Sequence, residues 1–196
     1  TTIYALAHQD DALTEQTFQT LADAPFNKIR LCVFPKHYQY NHNEPPFYPF
    51  TTLPGKTLEN VARENGPLSM ITEPLWNVQQ PDYAFWDAFE EKLARLDAMG
   101  IVADLILFHS YDRWGFSTLS REESLAYLDY AMRRLSAFPN LMWSLANEYD
   151  LMPGKPMEDW YSFEEFIARN DPYHHMLSNH NCFVLYDYAR PNITHV

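Results

Sequence analysis

The chain has 196 residues, 46% hydrophobic and 20% charged, which suits one sizeable core and excludes a disordered chain. A net charge of −12 argues against nucleic acid or an anionic membrane surface as a partner, since both call for basic patches. No apolar run of about 18 residues is present to span a bilayer.

In chain order, "TTIYALA" reads as the end of a strand, so the sequence is expected to begin inside one, with no signal peptide in view. Residues 14–24 read as a short helix. Residues 27–34, "NKIRLCVF", alternate with period two, placing Ile29, Leu31 and Val33 opposite Lys28, Arg30 and Cys32. A connection of about residues 35–81 follows, broken by eight prolines from Pro35 to Pro81. Connections this long are functional or disordered, and the rings Tyr38, Tyr40, Phe47, Tyr48 and Trp76 favour an ordered wall beside a cleft. Residues 82–99 form the clearest helix, with Asp82 as N-cap and Gly100 just past the end. Residues 101–109 are an apolar strand. The next helix opens on the capping-box pair Ser120 and Glu123 and stops before Pro139. Residues 141–147 are another apolar strand, 157–170 a helix, and 174–181 and 193–196 two further strands.

Strands apolar on both faces, alternating with helices, mean parallel pairing with helices outside. With five glycines and no GxGxxG, a dinucleotide-binding sheet is disfavoured against a (β/α)8 TIM barrel. Polar residues stand at successive strand ends: His8, Arg30 just below Phe34, His109, Asn147 with Glu148, His180 with Asn181, and His195. A TIM barrel keeps its active site there. Six strands are countable, whereas a barrel takes eight and about 250 residues. The expectation is a partial (β/α)8 catalytic domain over residues 1–196, with an insertion after the second strand at about 35–81. The missing strands would come from the rest of the polypeptide or another chain.

"NLMWSLANEYD" ends a buried strand in an amide and two carboxylates, which suits glycosidic bond cleavage. The stretch "WSLANEYD" resembles the fourth-strand Asn-Glu motif of clan A glycoside hydrolases. "FNKIRLCVF" resembles their second strand and "GIVADLILFHSYDRWGF" their third. The likeness is nearest to bacterial apiosidase-like and endoglucanase-like barrels, and covers nearly the whole chain. It implies a retaining enzyme with Glu148 as acid/base and Asn147 binding the sugar 2-hydroxyl. Arg30 would orient the nucleophile, and His109, His180 and His195 would serve as site residues. The clan's nucleophile is a Glu on the seventh strand, which these residues do not reach.

Trp114 reads either as part of a loop-fixing Asp112–Arg113 cluster or as a sugar platform. Trp76 and Tyr38 read as cleft walls, while the 16% aromatic content fits an aromatic core as well as a carbohydrate cleft. Cys32 and Cys182 lack pairing spacing and read as buried free thiols. A carbohydrate substrate is expected, with no cofactor and no metal, and a cytoplasmic setting is favoured over a secreted one. The rival readings are a non-catalytic carbohydrate-binding barrel and a metal-dependent hydrolase.

Overall fold

The computed structural model describes residues 1–37, 44–58, 73–152 and 154–196. Its elements run α1 (Asp11–Asp23), β1 (Lys28–Cys32), β2 (Phe50–Thr52), β3 (Trp76–Pro81), α2 (Tyr83–Ala98), β4 (Val102–His109), α3 (Arg121–Leu135), β5 (Leu141–Asn147), α4 (Met157–Asn170) and β6 (Leu177–His180). Strands β1, β4, β5 and β6 pair in that order, all parallel. The register sets Leu31 beside Leu105, Leu105 beside Trp143 and Trp143 beside Leu177.

Both edges of this sheet continue through single pairings. Ile3 donates to the Arg30 carbonyl (2.8 Å) and Arg30 to that of Thr1 (2.9 Å), so residues 1–4 run parallel to β1. On the other edge Thr194 donates to the Leu177 carbonyl (2.9 Å). Four parallel strands with helices between them, extended by a parallel bridge on one edge and one backbone bond on the other, match the layout of a partial (β/α)8 barrel.

Three strand expectations need correcting, the first being that residues 193–196 form no regular strand and only Thr194 bonds β6. "TTIYALA" stays extended only to Ile3, Tyr4 and Ala5 turn the chain, and Leu6–His8 form a 3-10 turn instead. The imidazole of His8 bonds the Val33 carbonyl at 2.8 Å, so a side chain takes the place of a further backbone pairing. The strand expected over 174–181 shrinks to Leu177–His180, because His174 and His175 are drawn into a turn around Asp171.

The helices form where caps and periodicity place them. Asp10 accepts from the Leu13 amide (2.8 Å) and Asp82 from that of Ala84 (3.0 Å). Ser120 and Glu123 make both bonds of the capping box. Gly100 adopts φ 70°, which a side chain would strain. The buried faces carry large rings: Trp86 and Phe89 on α2, Tyr127 on α3, Trp160 and Phe163 on α4. Phe108 of β4 stacks on Phe163 (5.5 Å) and meets Tyr127 edge-on (5.4 Å).

The long connection holds an element that its prolines hid. Strands β2 and β3 pair antiparallel between Pro49 and Pro81, with a register shift at Phe50. Trp76 of β3 stacks on Phe116 at 4.5 Å, and Phe116 on Phe34 at 4.4 Å. Phe34 and Phe116 follow the ends of β1 and β4, so this hairpin covers the C-terminal side of the sheet, as expected for Trp76 and Tyr48. Tyr38 and Tyr40 lie outside the described residues.

Glu164 of α4 is wholly buried and holds the last segment in place. It accepts from Tyr186 Oη (2.5 Å), Arg190 Nε (2.5 Å) and Asn192 Nδ2 (3.0 Å). Removing one member of such a buried set strands the others without a partner. In the full-length protein, Glu164→Ala is expected to cost about 3 kcal/mol in urea denaturation. Glu165→Ala, which breaks a largely exposed contact to the same arginine, should stay within about 0.5 kcal/mol.

Candidate active site

The concave side of the sheet is organised by one cation. Arg30 of β1 reaches across β4 to Ser144 Oγ (3.1 Å) and Asn147 Oδ1 (3.5 Å) on β5. Its Nε also pairs with Asp104 on β4 (3.4 Å), which Lys28 bonds as well (3.1 Å). Arg30 is therefore both a barrel-floor ion pair and the group that orients Asn147. With its Oδ1 turned to Arg30, buried Asn147 keeps its NH2 group for another acceptor.

Glu148 follows directly, half-buried, with φ 58° and ψ 58°. A left-handed backbone costs a non-glycine residue roughly 1–2 kcal/mol, and such strain concentrates at functional sites. The turn is held from below. Residues Tyr149–Leu151 form a 3-10 turn, and the Asp150 carboxylate accepts the N–H groups of Cys182 (2.7 Å), Phe183 (2.6 Å) and Val184 (2.7 Å). Desolvation acts to raise the Asp150 pKa, but these amides outweigh it and hold the carboxyl below its ordinary range. Tyr149 adds a bond to the Val184 carbonyl (2.8 Å). From the β4 side, Tyr111 donates its hydroxyl to Glu148 Oε2. Nothing in the sequence pattern pointed to Tyr111 or to this use of Asp150.

The histidines divide. His109, at the end of β4, is buried with Nε2 on the Phe34 carbonyl (3.1 Å). His8 does the same to Val33. Two imidazoles thus satisfy successive carbonyls just beyond the last ladder residue of β1. Burial is the main cause that drives both pKa values down to about 4, so both rings are neutral at pH 7. His180 is exposed at the end of β6, beside Asn147 in register. His195 stands next to the start of β6 rather than at a strand's C-terminal end, because Thr194 is the residue that pairs with Leu177. Its nearest charges are Asp104, Lys28 and Arg30.

The tryptophan platforms need correction. All five tryptophans are 3% exposed or less, so the indoles pack as core, although Trp114 borders the cavity described below. Trp76 donates to the Trp114 carbonyl (2.7 Å), and Trp114 Nε1 donates to Glu44 (2.8 Å). Arg113 pairs with Glu44, not with Asp112. Asp112 instead accepts the amides of Trp114 (2.7 Å) and Ser117 (2.6 Å). Of the thiols, Cys32 is buried as expected and Cys182 is exposed.

A cavity of about 580 Å³ opens beside this constellation, lined by Ala5, His8, Asp10, Lys36, Glu44 and Trp114 among others. Glu148 is not in its wall. Lys36 connects the two, with Nζ 4.2 Å from the centre of the Tyr111 ring. Among the described residues no group of three or more His, Cys, Asp or Glu converges to hold a metal ion, and no helix is long and apolar enough to cross a membrane.

The neutral histidines predict a pH dependence. Unfolded, each titrates near 6.5; folded, near 4. The unfolded chain therefore binds more protons between those values, and stability is full above pH 6.5 and falls as pH drops toward 4. Between pH 7.5 and pH 5 the loss is expected to reach about 2 kcal/mol per histidine at most, read from urea midpoints at those two pH values. His109→Gln, whose amide can still donate to Phe34, should flatten that dependence.

Residues 6–191 match the family model described as "Apiosidase-like, catalytic domain". No curated protein matches the chain. A solved structure of a candidate glycoside hydrolase from Bacteroides vulgatus ATCC 8482 is 38% identical with a TM-score of 0.86. It aligns with 100% of this chain, which spans 37% of that protein's length. Two more distant structures share the fold. A glycoside hydrolase family 5 protein from the same organism is 14% identical (TM-score 0.59, 91% of this chain and 33% of that one). An endo-1,4-β-D-mannanase from Thermotoga petrophila RKU-1 is 15% identical (TM-score 0.59, 95% and 56%). With 186 of its residues aligned to that model, the chain belongs to the apiosidase-like catalytic-domain family.

Proposed function

We propose that the protein is a retaining glycoside hydrolase of which this chain forms the first six barrel strands, with Glu148 as acid/base. The observation that carries this reading is Glu148 itself: a half-buried carboxyl on a left-handed backbone at the C-terminal end of β5, directly after Asn147. In the first step Glu148 gives its proton to the glycosidic oxygen while a second carboxylate attacks C1 and the C1–O bond breaks. In the second step Glu148 takes a proton from the water that attacks C1 and releases the enzyme carboxylate. The NH2 group of Asn147 donates to the sugar 2-hydroxyl, a bond that strengthens as charge develops on the ring.

The second carboxylate must lie about 5–5.5 Å from the first. Of the acids near Glu148 in sequence, Glu158 lies in the first turn of α4 and four others are engaged elsewhere. Asp150 is occupied by three amides, Asp159 pairs with Arg121, Glu165 with Arg190, and Asp187 caps a turn at Ala189. The nucleophile on this reading arrives on the strands that complete the barrel, from elsewhere in the polypeptide or from another chain.

Glu148→Gln in the full-length protein is expected to lower turnover of alkyl glycosides by about 10²–10⁴-fold, with substrate affinity retained. Aryl glycosides with good leaving groups should lose less in the first step. The assay panel begins with apiosides, following the family's description. Full activity of the variant would remove Glu148 from the mechanism. The 196-residue segment expressed alone should hydrolyse none of the panel, and turnover by it would place a nucleophile inside these residues.

A further inference from the structure

We propose that Tyr111 is a positioning residue that selects which oxygen of Glu148 delivers the proton. The inference rests on the reading of Glu148 as acid/base and goes beyond it. The Tyr111 hydroxyl donates to Oε2. An oxygen already accepting a hydrogen bond is the poorer place for the carboxyl proton, so the proton resides on Oε1, the atom left for the glycosidic oxygen. During the first step that proton moves from Oε1 to the leaving oxygen, which takes the electron pair of the breaking C1–O bond. The bond from Tyr111 to the resulting carboxylate becomes charge-assisted and so favours the step.

Tyr111 is itself well placed for this task. Its carbonyl accepts from the His37 amide (2.7 Å), tying it to the chain beyond β1. Lys36 Nζ lies 4.2 Å from its ring centre and 5.0 Å from that of Tyr4, so the cation sits between two aromatic faces. The loop that follows is closed by the two amides on Asp112. The bond to Glu148, reinforced by burial, pushes the phenol up to about 12, so it remains a donor across the neutral range. The backbone of Glu148 is held by its left-handed turn, and the remaining freedom lies in the three side-chain torsions that end in the carboxyl. The bond from Tyr111 restricts them.

The test is Tyr111→Phe in the full-length protein. Activity is measured as kcat/KM on the methyl and the 2,4-dinitrophenyl glycoside of the sugar the protein cleaves fastest. The methyl leaving group needs its proton and the dinitrophenyl group does not. The ratio of the two values is independent of the fraction of protein correctly folded. Loss of proton positioning is expected to lower the methyl value roughly tenfold relative to the dinitrophenyl value. In a Glu148→Gln background, Tyr111→Phe should change the ratio no further. An unchanged ratio in the single variant, whether or not both rates fall, would overturn the proposal. If Glu148→Gln collapses the ratio and Tyr111→Phe leaves it alone, Glu148 stands as the acid and Tyr111 is only structural. If Glu148→Gln leaves the ratio alone, the acid/base reading fails first.

Discussion

A guanidinium on the concave side of the sheet is the constraint from which the rest of the site follows. Arg30 needs anionic and polar partners wherever it is buried. It finds Asp104 on the adjacent strand and Ser144 and Asn147 on the strand beyond. The register of β1, β4 and β5 is thereby fixed on the inner face by charge, as it is fixed on the outer face by rings packing against helices. Because Asn147 is turned by Arg30, the residue after it is presented at a defined height on the sheet. The position of Glu148 thus follows from a hydrogen bond between the residue before it, Asn147, and Arg30, 117 positions earlier in the chain.

The mouth is then finished by groups that satisfy backbone polar atoms where regular pairing stops. Carbonyls beyond a strand's last pairing need donors if they are buried. The imidazoles of His8 and His109 provide them for Val33 and Phe34. Burial is what keeps both rings neutral, against these carbonyl bonds, which by themselves favour the charged form. Sequence position placed His109 at a strand end, and there it is, but its chemistry faces inward.

What the sequence made legible was whatever depends on short-range pattern. The period-two alternation of 27–34, the capping box at Ser120, and the apolar runs before His109 and Asn147 all become the expected elements. The hairpin of β2 and β3 was not legible, because its pairing joins residues about 26 apart across a proline-rich stretch with no alternating signal. The tryptophans misled for a related reason. A ring between prolines reads as a loop ring, yet the hairpin folds Trp76 back onto Phe116 and leaves Trp114 sealed beneath Glu44. Tyr111 and Asp150 were illegible because their partners, Glu148 and the amides of 182–184, meet them only in the folded chain.

Asp150 gives the mouth a mechanical property. The residue two positions after Glu148 grips three consecutive amides of the loop beyond β6, and Tyr149 grips a carbonyl of the same loop. The turn bearing Glu148 and the lip bearing Phe183, which is 81% exposed, are therefore one lever rather than two parts. Four hydrogen bonds tie the lip to the turn that carries the carboxyl. Three of the four ties are to an anion, so acid that neutralises Asp150 would weaken them and leave the Tyr149 bond to Val184 as the remaining tie.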